Sequence, residues 1–267
     1  MSYAAYAALD NVNFSSLKFM AVSPAEYRYR KQTPLEATAA MELGRAVHTA
    51  VFEPDRLPLE YAVWDTAKGN RNTNAYKDWA AQQGERQILT ADDWATCCAI
   101  RDAVRAHPVA AALLAQGEAE KTIKWTDKET GLKCKGRLDW LSASALVDLK
   151  TASTIGRKQF AASAANFGYF EQAAFYLMGL RANGIEVPAS IIAVESKGLH
   201  DVGVFGIPED TLDAAEDKLR NLLTRLAECL ESDTWPGQYP QEETLDAPGW
   251  YFPDERELAE LKIDFGG

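Results

Sequence analysis

The stretch Leu132–Thr151, LKCKGRLDWLSASALVDLKT, reads as two short strands joined at Ser142-Ala143-Ser144. Side chains alternate between the faces of a strand, and that sorts the residues. Leu132, Cys134, Leu138 and Trp140 fall with Gly136 on one face; Lys133, Lys135, Arg137 and Asp139 fall on the other. On the second strand Val147 and Leu149 point one way, and Leu146, Asp148 and Lys150 point the opposite way. Asp139, Asp148 and Lys150 are therefore expected to converge on one side of a hairpin whose other side is apolar. Two carboxylates and a lysine at a strand end suit hydrated Mg²⁺, which takes one or two carboxylates and keeps waters for phosphate chemistry. A solvated strand face gives the same alternation, so the rest of the chain has to separate the two readings.

With 267 residues, 47% of them hydrophobic and 25% charged, the chain has the size and composition of a globular domain with a sizeable core. It reads as one α/β domain without repeats or an interdomain linker. No apolar run is long enough to span a bilayer, and MSYAAYAALD at the N-terminus lacks the flank and core of a signal peptide. Cys97, Cys98, Cys134 and Cys229 show no framework spacing and no C-x-x-C, which reads as reduced thiols in a cytoplasmic protein. A net charge of −11 argues against a generic nucleic-acid binder. The charge is uneven, however. From Lys121 to Lys158 nine basic residues face four acidic ones, so that segment is +5 and the remainder −16. A basic island on an acidic body is either a local surface for a polyanion or chance clustering on an exposed hairpin.

Upstream, Phe14 opens a short helix, and Ser23-Pro24-Ala25-Glu26 opens a second through a capping box. Met41 to Glu53 is helical by its apolar spacing and stops at Pro54, with His48 one turn beyond Gly44. Tyr61–Trp64 reads as a strand. The polar loop from Lys68 to Asn74 carries Arg71, either a DNA-end contact or a mobile connector. Helices follow from Tyr76 to Gln83 and from Thr90 onward, the second burying Trp94, Cys97, Ile100 and Val104. Lys121–Thr126 is a strand turning through Asp127-Lys128-Glu129-Thr130-Gly131 into the central hairpin, with Glu120 at its mouth as a further acid. Phe160 to Asn183 reads as one long helix, on which Gln172 and Tyr176 share a face. Two strands, Ala189–Ser196 and Val202–Ile207, precede an amphipathic helix from Pro208 to Ser232, and the tail from Trp235 is an irregular aromatic arm.

The order Gly44-x-x-x-His48, Gly136-Arg137-x-Asp139, Asp148-x-Lys150-Thr151 and Gln172-x-x-x-Tyr176 resembles the RecB-like branch of the PD-(D/E)xK nucleases. More narrowly, the chain is similar to the C-terminal nuclease domain of the exonuclease VIII (RecE) family, in which Ser15-Ser16-Leu17, Ser23-Pro24-x-x-Tyr27 and Trp235-Pro236 also find counterparts. The resemblance covers nearly the whole chain. It implies a central mixed β-sheet flanked by helices: N-terminal helices over 13–53 contributing His48, a nuclease core over about 120–232 and an arm over 233–267 of a single domain, 1–267. It implies that His48, Asp139 and Asp148 bind metal with the Leu149 carbonyl, that Lys150 orients or activates water, and that Gln172 and Tyr176 position the phosphate or strand. The metal implied is Mg²⁺, with Mn²⁺ accepted because imidazole is a softer ligand. The second motif acid is Asp148 rather than the Glu common in the wider superfamily, which fits the exonuclease VIII branch. The implied activity is 5′→3′ degradation of linear double-stranded DNA from its ends, leaving 3′ tails, by a ring-shaped homo-oligomer partnered with a RecT-like single-strand annealing protein. Lys133, Lys135, Arg137 and Arg71 are the expected DNA contacts. The four cysteines do not offer the arrangement of an iron–sulfur nuclease. A RecB-like endonuclease and a non-catalytic DNA-end-binding scaffold are the alternatives.

Overall fold

The computed structural model describes residues 3–33, 35–65, 67, 69 and 71–252. The part of the expected arm beyond residue 252, and Lys68 and Asn70 of the polar loop, lie outside the described residues. In chain order the elements are α1 (Tyr3–Ala7), α2 (Phe14–Leu17), α3 (Pro24–Gln32), α4 (Ala39–Phe52), α5 (Leu57–Glu60), β1 (Tyr61–Trp64), α6 (Asn74–Ala81), β2 (Gln87–Thr90), α7 (Ala91–Ala106) and α8 (Pro108–Leu113). There follow β3 (Glu118–Thr126), β4 (Lys133–Leu141), β5 (Leu146–Ala152), α9 (Arg157–Phe167), α10 (Tyr169–Ala182), β6 (Ala189–Glu195), β7 (Val202–Gly206) and α11 (Glu209–Ser232). The architecture is mixed α/β, as expected. No described helix is long and apolar enough to cross a membrane.

The strands from β3 to β7 form one sheet in sequence order, parallel between β5 and β6 and antiparallel elsewhere. A helix-bearing crossover (α9, α10) makes the parallel step possible, because parallel neighbours need a long connection. One face packs on α10 and α11 through Phe175, Leu180, Leu219 and Leu223; the other packs on α4 and α7 through Val47, Val51, Cys97 and Ile100. Burial on both faces explains why Leu146-Val147-Asp148-Leu149 is buried throughout instead of alternating.

The central hairpin departs from the simple alternation at one place. Cys134 and Leu138 pack with α10 and α11, but Leu141 joins them while Trp140 packs on the α4 side. The change of phase falls at Asp139, whose β3 counterpart, Glu120, takes φ +51°. Left-handed backbone at a residue other than glycine costs on the order of 1–3 kcal/mol and persists where surrounding structure enforces it.

Three other expectations change. The helix expected over Phe160–Asn183 is two helices, because Gly168 takes φ +74° and ends α9 before α10 begins. Gln87–Thr90 is a strand, paired parallel with β1, that the sequence reading did not assign. Lys135 is buried rather than facing solvent: its Nζ donates to the carbonyls of Tyr6 (2.8 Å), Ala7 (3.4 Å) and Leu9 (2.7 Å). Burying a lysine is tolerable only with such partners, and here they come from the N-terminal segment.

Candidate active site

β4 and β5 pair only at Trp140↔Val147 and Leu141↔Leu146, then part. The edge that β5 vacates is taken by the N-terminal segment: Val12 bridges to Cys134, donates to the Lys133 carbonyl at 2.9 Å and accepts from Lys135 N–H at 2.8 Å. The fork is thereby held open. At its crotch a carboxylate replaces the missing ladder bond, Leu149 N–H donating to Asp139 Oδ2 at 2.9 Å. The N–H and C=O of one strand residue point to the same edge, so the Leu149 carbonyl faces this fork as well.

Each expected site residue can now be placed. α4 lies along one side, capped by Thr38 and anchored through Phe52, whose ring stacks on Trp140 at 6.1 Å. Its next turn up presents His48, edge-on to Phe52, with Nδ1 at 3.4 Å from Asp139 Oδ2. Glu120 completes a cluster: one ligand atom from each of His48, Glu120 and Asp139 lies within 4.8 Å of the others. Asp148 is one step away on β5, 6% exposed, with Oδ2 at 2.7 Å from Lys150 Nζ. That contact is a close but poorly aligned ion pair, and the other oxygen, Oδ1, is buried with no hydrogen-bond partner. On the α10 side Lys150 Nζ donates to Gln172 Oε1 at 3.0 Å, and Gln172 Nε2 donates to the Tyr176 hydroxyl at 3.1 Å. Gln172 and Tyr176 thus act on Lys150 as a chain.

The glycine of Gly136-Arg137-x-Asp139 has a steric reason. A Cβ there would stand 2.9 Å from Tyr176 Cδ1, closer than side chains tolerate. Arg137, two residues on, forms an ion pair with Glu120 through Nε. Both line a cleft of about 620 Å³, together with Ser15, Gly44, Arg45, His48 and Lys150.

Of the four expected DNA contacts, Arg137 alone lines this cleft. Lys135 is committed to the N-terminal carbonyls. Lys133, although exposed, begins β4 six residues before Asp139, about 20 Å along the strand at 3.4 Å per residue. Arg71 is exposed and donates to the Ile88 carbonyl at 3.2 Å beside β2. Glu120 is the residue whose place sequence reasoning left open. Its one signal was its position opposite Asp139 in the hairpin register.

The ionisation of the cluster follows its burial. Asp148 is pushed up to about 6, first by burial and then by the negative charge of Asp139, against the pull of Lys150. Asp139 is buried too, but His48, Lys150 and the Leu149 N–H hold it down at about 2. Burial pulls His48 down while Asp139 more than offsets it, so its pKa is raised. Lys150 is likewise raised, the two aspartates outweighing its desolvation, and Glu120 is raised by burial. A buried carboxylate with one oxygen unpartnered, held beside a second acid, a third and an imidazole, has the donor set of a divalent-cation site. The residues fit such an ion.

Residues 13–247 match the family model described as PDDEXK-like domain of unknown function (DUF3799). No curated protein matches the chain. Among solved structures, the chain is similar to a protein named "Putative exonuclease" from Eubacterium rectale, at 16% identity and a TM-score of 0.64, covering 92% of this chain and 93% of that one. That likeness shows the fold. A phage related exonuclease from Haemophilus somnus 129PT matches at 12% identity over 84% of this chain and 96% of that one, with a TM-score of 0.36, too low to carry an argument.

Proposed function

Because the chain belongs to the PDDEXK-like family DUF3799, we propose that it is a divalent-metal-dependent nuclease that hydrolyses phosphodiester bonds in DNA. More narrowly, we propose a 5′→3′ exonuclease of the exonuclease VIII kind, a single nuclease domain acting on duplex ends. The observation that carries the reading is the buried Asp148, its Oδ2 paired only with Lys150 and its Oδ1 without a partner, across the fork from His48, Glu120 and Asp139.

His48, Asp139, Asp148 and the Leu149 carbonyl would hold the ion, as the resemblance to the exonuclease VIII family implies, and Glu120 joins them on the geometry of the cluster. A divalent cation bound there supplies Lewis-acid neutralisation of the phosphoryl oxygens and makes water a stronger acid. The imidazole suits Mn²⁺ as well as Mg²⁺. Every other part of the chemistry falls to the chain itself. Lys150 stays protonated in its raised range, so it orients the attacking water and stabilises charge developing on the phosphoryl group. Gln172 fixes the Lys150 ammonium, and Tyr176 fixes Gln172. Arg137, at the cleft wall, is placed for a phosphate oxygen once it leaves Glu120. Leu149 N–H and His48 hold Asp139 in one rotamer and ionised, so its carboxylate needs no reorganisation. The ring-shaped assembly and the RecT-like annealing partner belong to the same proposal and rest on the family resemblance.

The test is incubation of the purified chain with end-labelled linear duplex and with covalently closed circular duplex, in Mg²⁺ or in EDTA. Release of label from the linear substrate only, abolished by EDTA, supports the exonuclease. Cutting of the circle makes it an endonuclease. Binding without cleavage in Mg²⁺ makes it a scaffold, and refutes the catalytic reading.

A further inference from the structure

A row of aromatic rings that the proposed chemistry does not use runs from β7 past Lys150 to the surface. Phe205 on β7 stacks on Phe160 of α9 with centroids 5.3 Å apart at 23°. Phe160 meets Tyr169 at 6.4 Å, and Tyr169 stacks on Phe167 at 5.8 Å and 26°. Phe160 is buried at 4% exposed, Phe205 and Tyr169 are half-buried against it, and the row ends in water with Phe167 64% exposed. Residues two apart on one helix do not face each other. Phe167 and Tyr169 meet because Gly168 between them takes φ +74° and breaks the helix. Any Cβ at Gly168 would also stand 3.0 Å from the Phe14 ring.

The row also touches the chemistry. Lys150 Nζ lies 4.7 Å from the centroid of Tyr169, while the same ammonium pairs with Asp148 and donates to Gln172. Phe167 is therefore one ring removed from the lysine that would face the scissile phosphate. A singly exposed apolar residue is ordinary on a protein surface. This one is backed by three rings reaching into the core, so its exposed face is held in place. Arg157 is exposed at the start of the same helix, about 15 Å from Phe167 at 1.5 Å per residue, and supplies charge for a phosphate backbone passing along α9.

We propose that Phe167, backed by Tyr169, is a stacking platform for a nucleobase flanking the phosphate at Lys150, a reading that rests on the nuclease function proposed above. Every base has a π-face, so the platform grips a strand without reading its sequence. It binds the nucleotide next to the one being cut, and its contribution is to holding DNA rather than to the chemical step.

The experiment uses the full chain and a duplex with 2-aminopurine at either of the two nucleotides nearest the labelled end. Fluorescence is read with Ca²⁺ in place of Mg²⁺, and cleavage is measured separately in Mg²⁺. Wild type is expected to quench the probe by stacking. Phe167→Leu, which keeps apolar bulk but removes the ring, should lose the quench and raise KM roughly 5- to 150-fold, the range of base–aromatic stacking, with kcat nearly unchanged. Phe167→Trp should restore both, and Leu230→Ala on the exposed side of α11 should leave both at wild-type levels. Retained quenching and an unchanged KM in Phe167→Leu overturn the platform. So does a variant whose sedimentation changes while its quench does not, because Phe167 is then a contact between copies of the chain. If wild type neither binds nor cleaves DNA, the nuclease reading has failed first; if it cleaves normally and Phe167→Leu is indifferent, only the platform has failed.

Discussion

Gly136→Ala should slow the enzyme without touching a reacting group. The added Cβ would stand 2.9 Å from Tyr176 Cδ1, 3.1 Å from Cε1 and 3.3 Å from Ile123 Cγ1. Carbon atoms at rest sit about 3.5–4.0 Å apart, so the tyrosine ring must withdraw by about 0.5–1 Å. It cannot do so freely, being 8% exposed and packed in the core of α10 and β4. Overpacking of this kind costs about 1–3 kcal/mol of stability. The displaced ring carries its hydroxyl away from Gln172 Nε2, now at 3.1 Å, and Gln172 is what holds Lys150. A misplacement near 1 Å costs on the order of 100-fold in rate, so a loss of about 10- to 100-fold is expected. Single-turnover cleavage at saturating DNA and Mg²⁺ measures the rate, and urea unfolding measures stability. Tyr176→Phe is the companion: it removes the hydroxyl without the clash, and should lose rate at a stability cost of about 1 kcal/mol. Gly136→Ala with Tyr176→Leu should regain stability but not rate. A wild-type single-turnover rate in Gly136→Ala would refute the chain from Gly136 through Tyr176 and Gln172 to Lys150.

Asp148→Asn should abolish cleavage and change the pH dependence of folding in EDTA. The carboxyl is raised to about 6, so the stability it contributes is present below its unfolded value near 4 and is lost as pH rises through 6. Asn should flatten that fall in urea titrations between pH 4 and 7, and an identical fall in both proteins would remove the assignment. Asp139, held at about 2, works oppositely: its contribution is present above about 4 and is lost as pH falls through 2. Mg²⁺ at 100 times its Kd should stabilise wild type by about 2.7 kcal/mol, a rise of roughly 5 °C or more in Tm, and the rise should shrink in Glu120→Gln and in Asp148→Asn. Equal rises in all three proteins would place the ion elsewhere. Lys135→Met should cost about 1–3 kcal/mol and expose the first dozen residues to proteolysis, because three carbonyls lose their donor. It should leave the salt dependence of DNA binding alone; a slope smaller by about 0.9 would mean that Lys135 meets a phosphate after all.

The hairpin and its polar convergence were readable because period-two alternation and a central, doubly buried strand leave few registers for Asp139, Asp148 and Lys150. His48 was readable only through its place one turn beyond Gly44 and the order of the motifs around it. What was not readable depended on distant chain. Lys135 looks like a solvent-facing basic residue until the segment at residues 6–9, more than 120 residues earlier, brings its carbonyls. The phase change at Trp140 is set by the left-handed backbone of Glu120 across the ladder, and no local pattern announces it. Gly168 did carry a signal, since a glycine within a helical pattern is also the commonest left-handed helix end. The continuous apolar spacing on either side outweighed it.

The same long-range contacts change how the charge of the molecule is to be understood. The +5 island suggests a field that draws DNA to the fork, yet much of it is consumed internally. Lys121 pairs with Glu118 at 2.9 Å, Lys135 with backbone carbonyls, Arg137 with Glu120 and Lys150 with Asp148 at 2.7 Å. At the fork three carboxylates, Glu120, Asp139 and Asp148, face Lys150, Arg137 and an imidazole, so a phosphate arriving there meets cations already paired. Such partners separate only when something of higher charge takes the carboxylates. On the proposed reading Glu120 and Asp148 would hold the divalent ion, and Arg137 and Lys150, no longer their partners, would serve the phosphoryl oxygens. The unpartnered Oδ1 of Asp148 and the strained backbone of Glu120 are then two sides of one arrangement. Both acids are held where they serve an ion poorly replaced by any protein group, and the cations they hold in its absence are the ones the substrate needs in its presence.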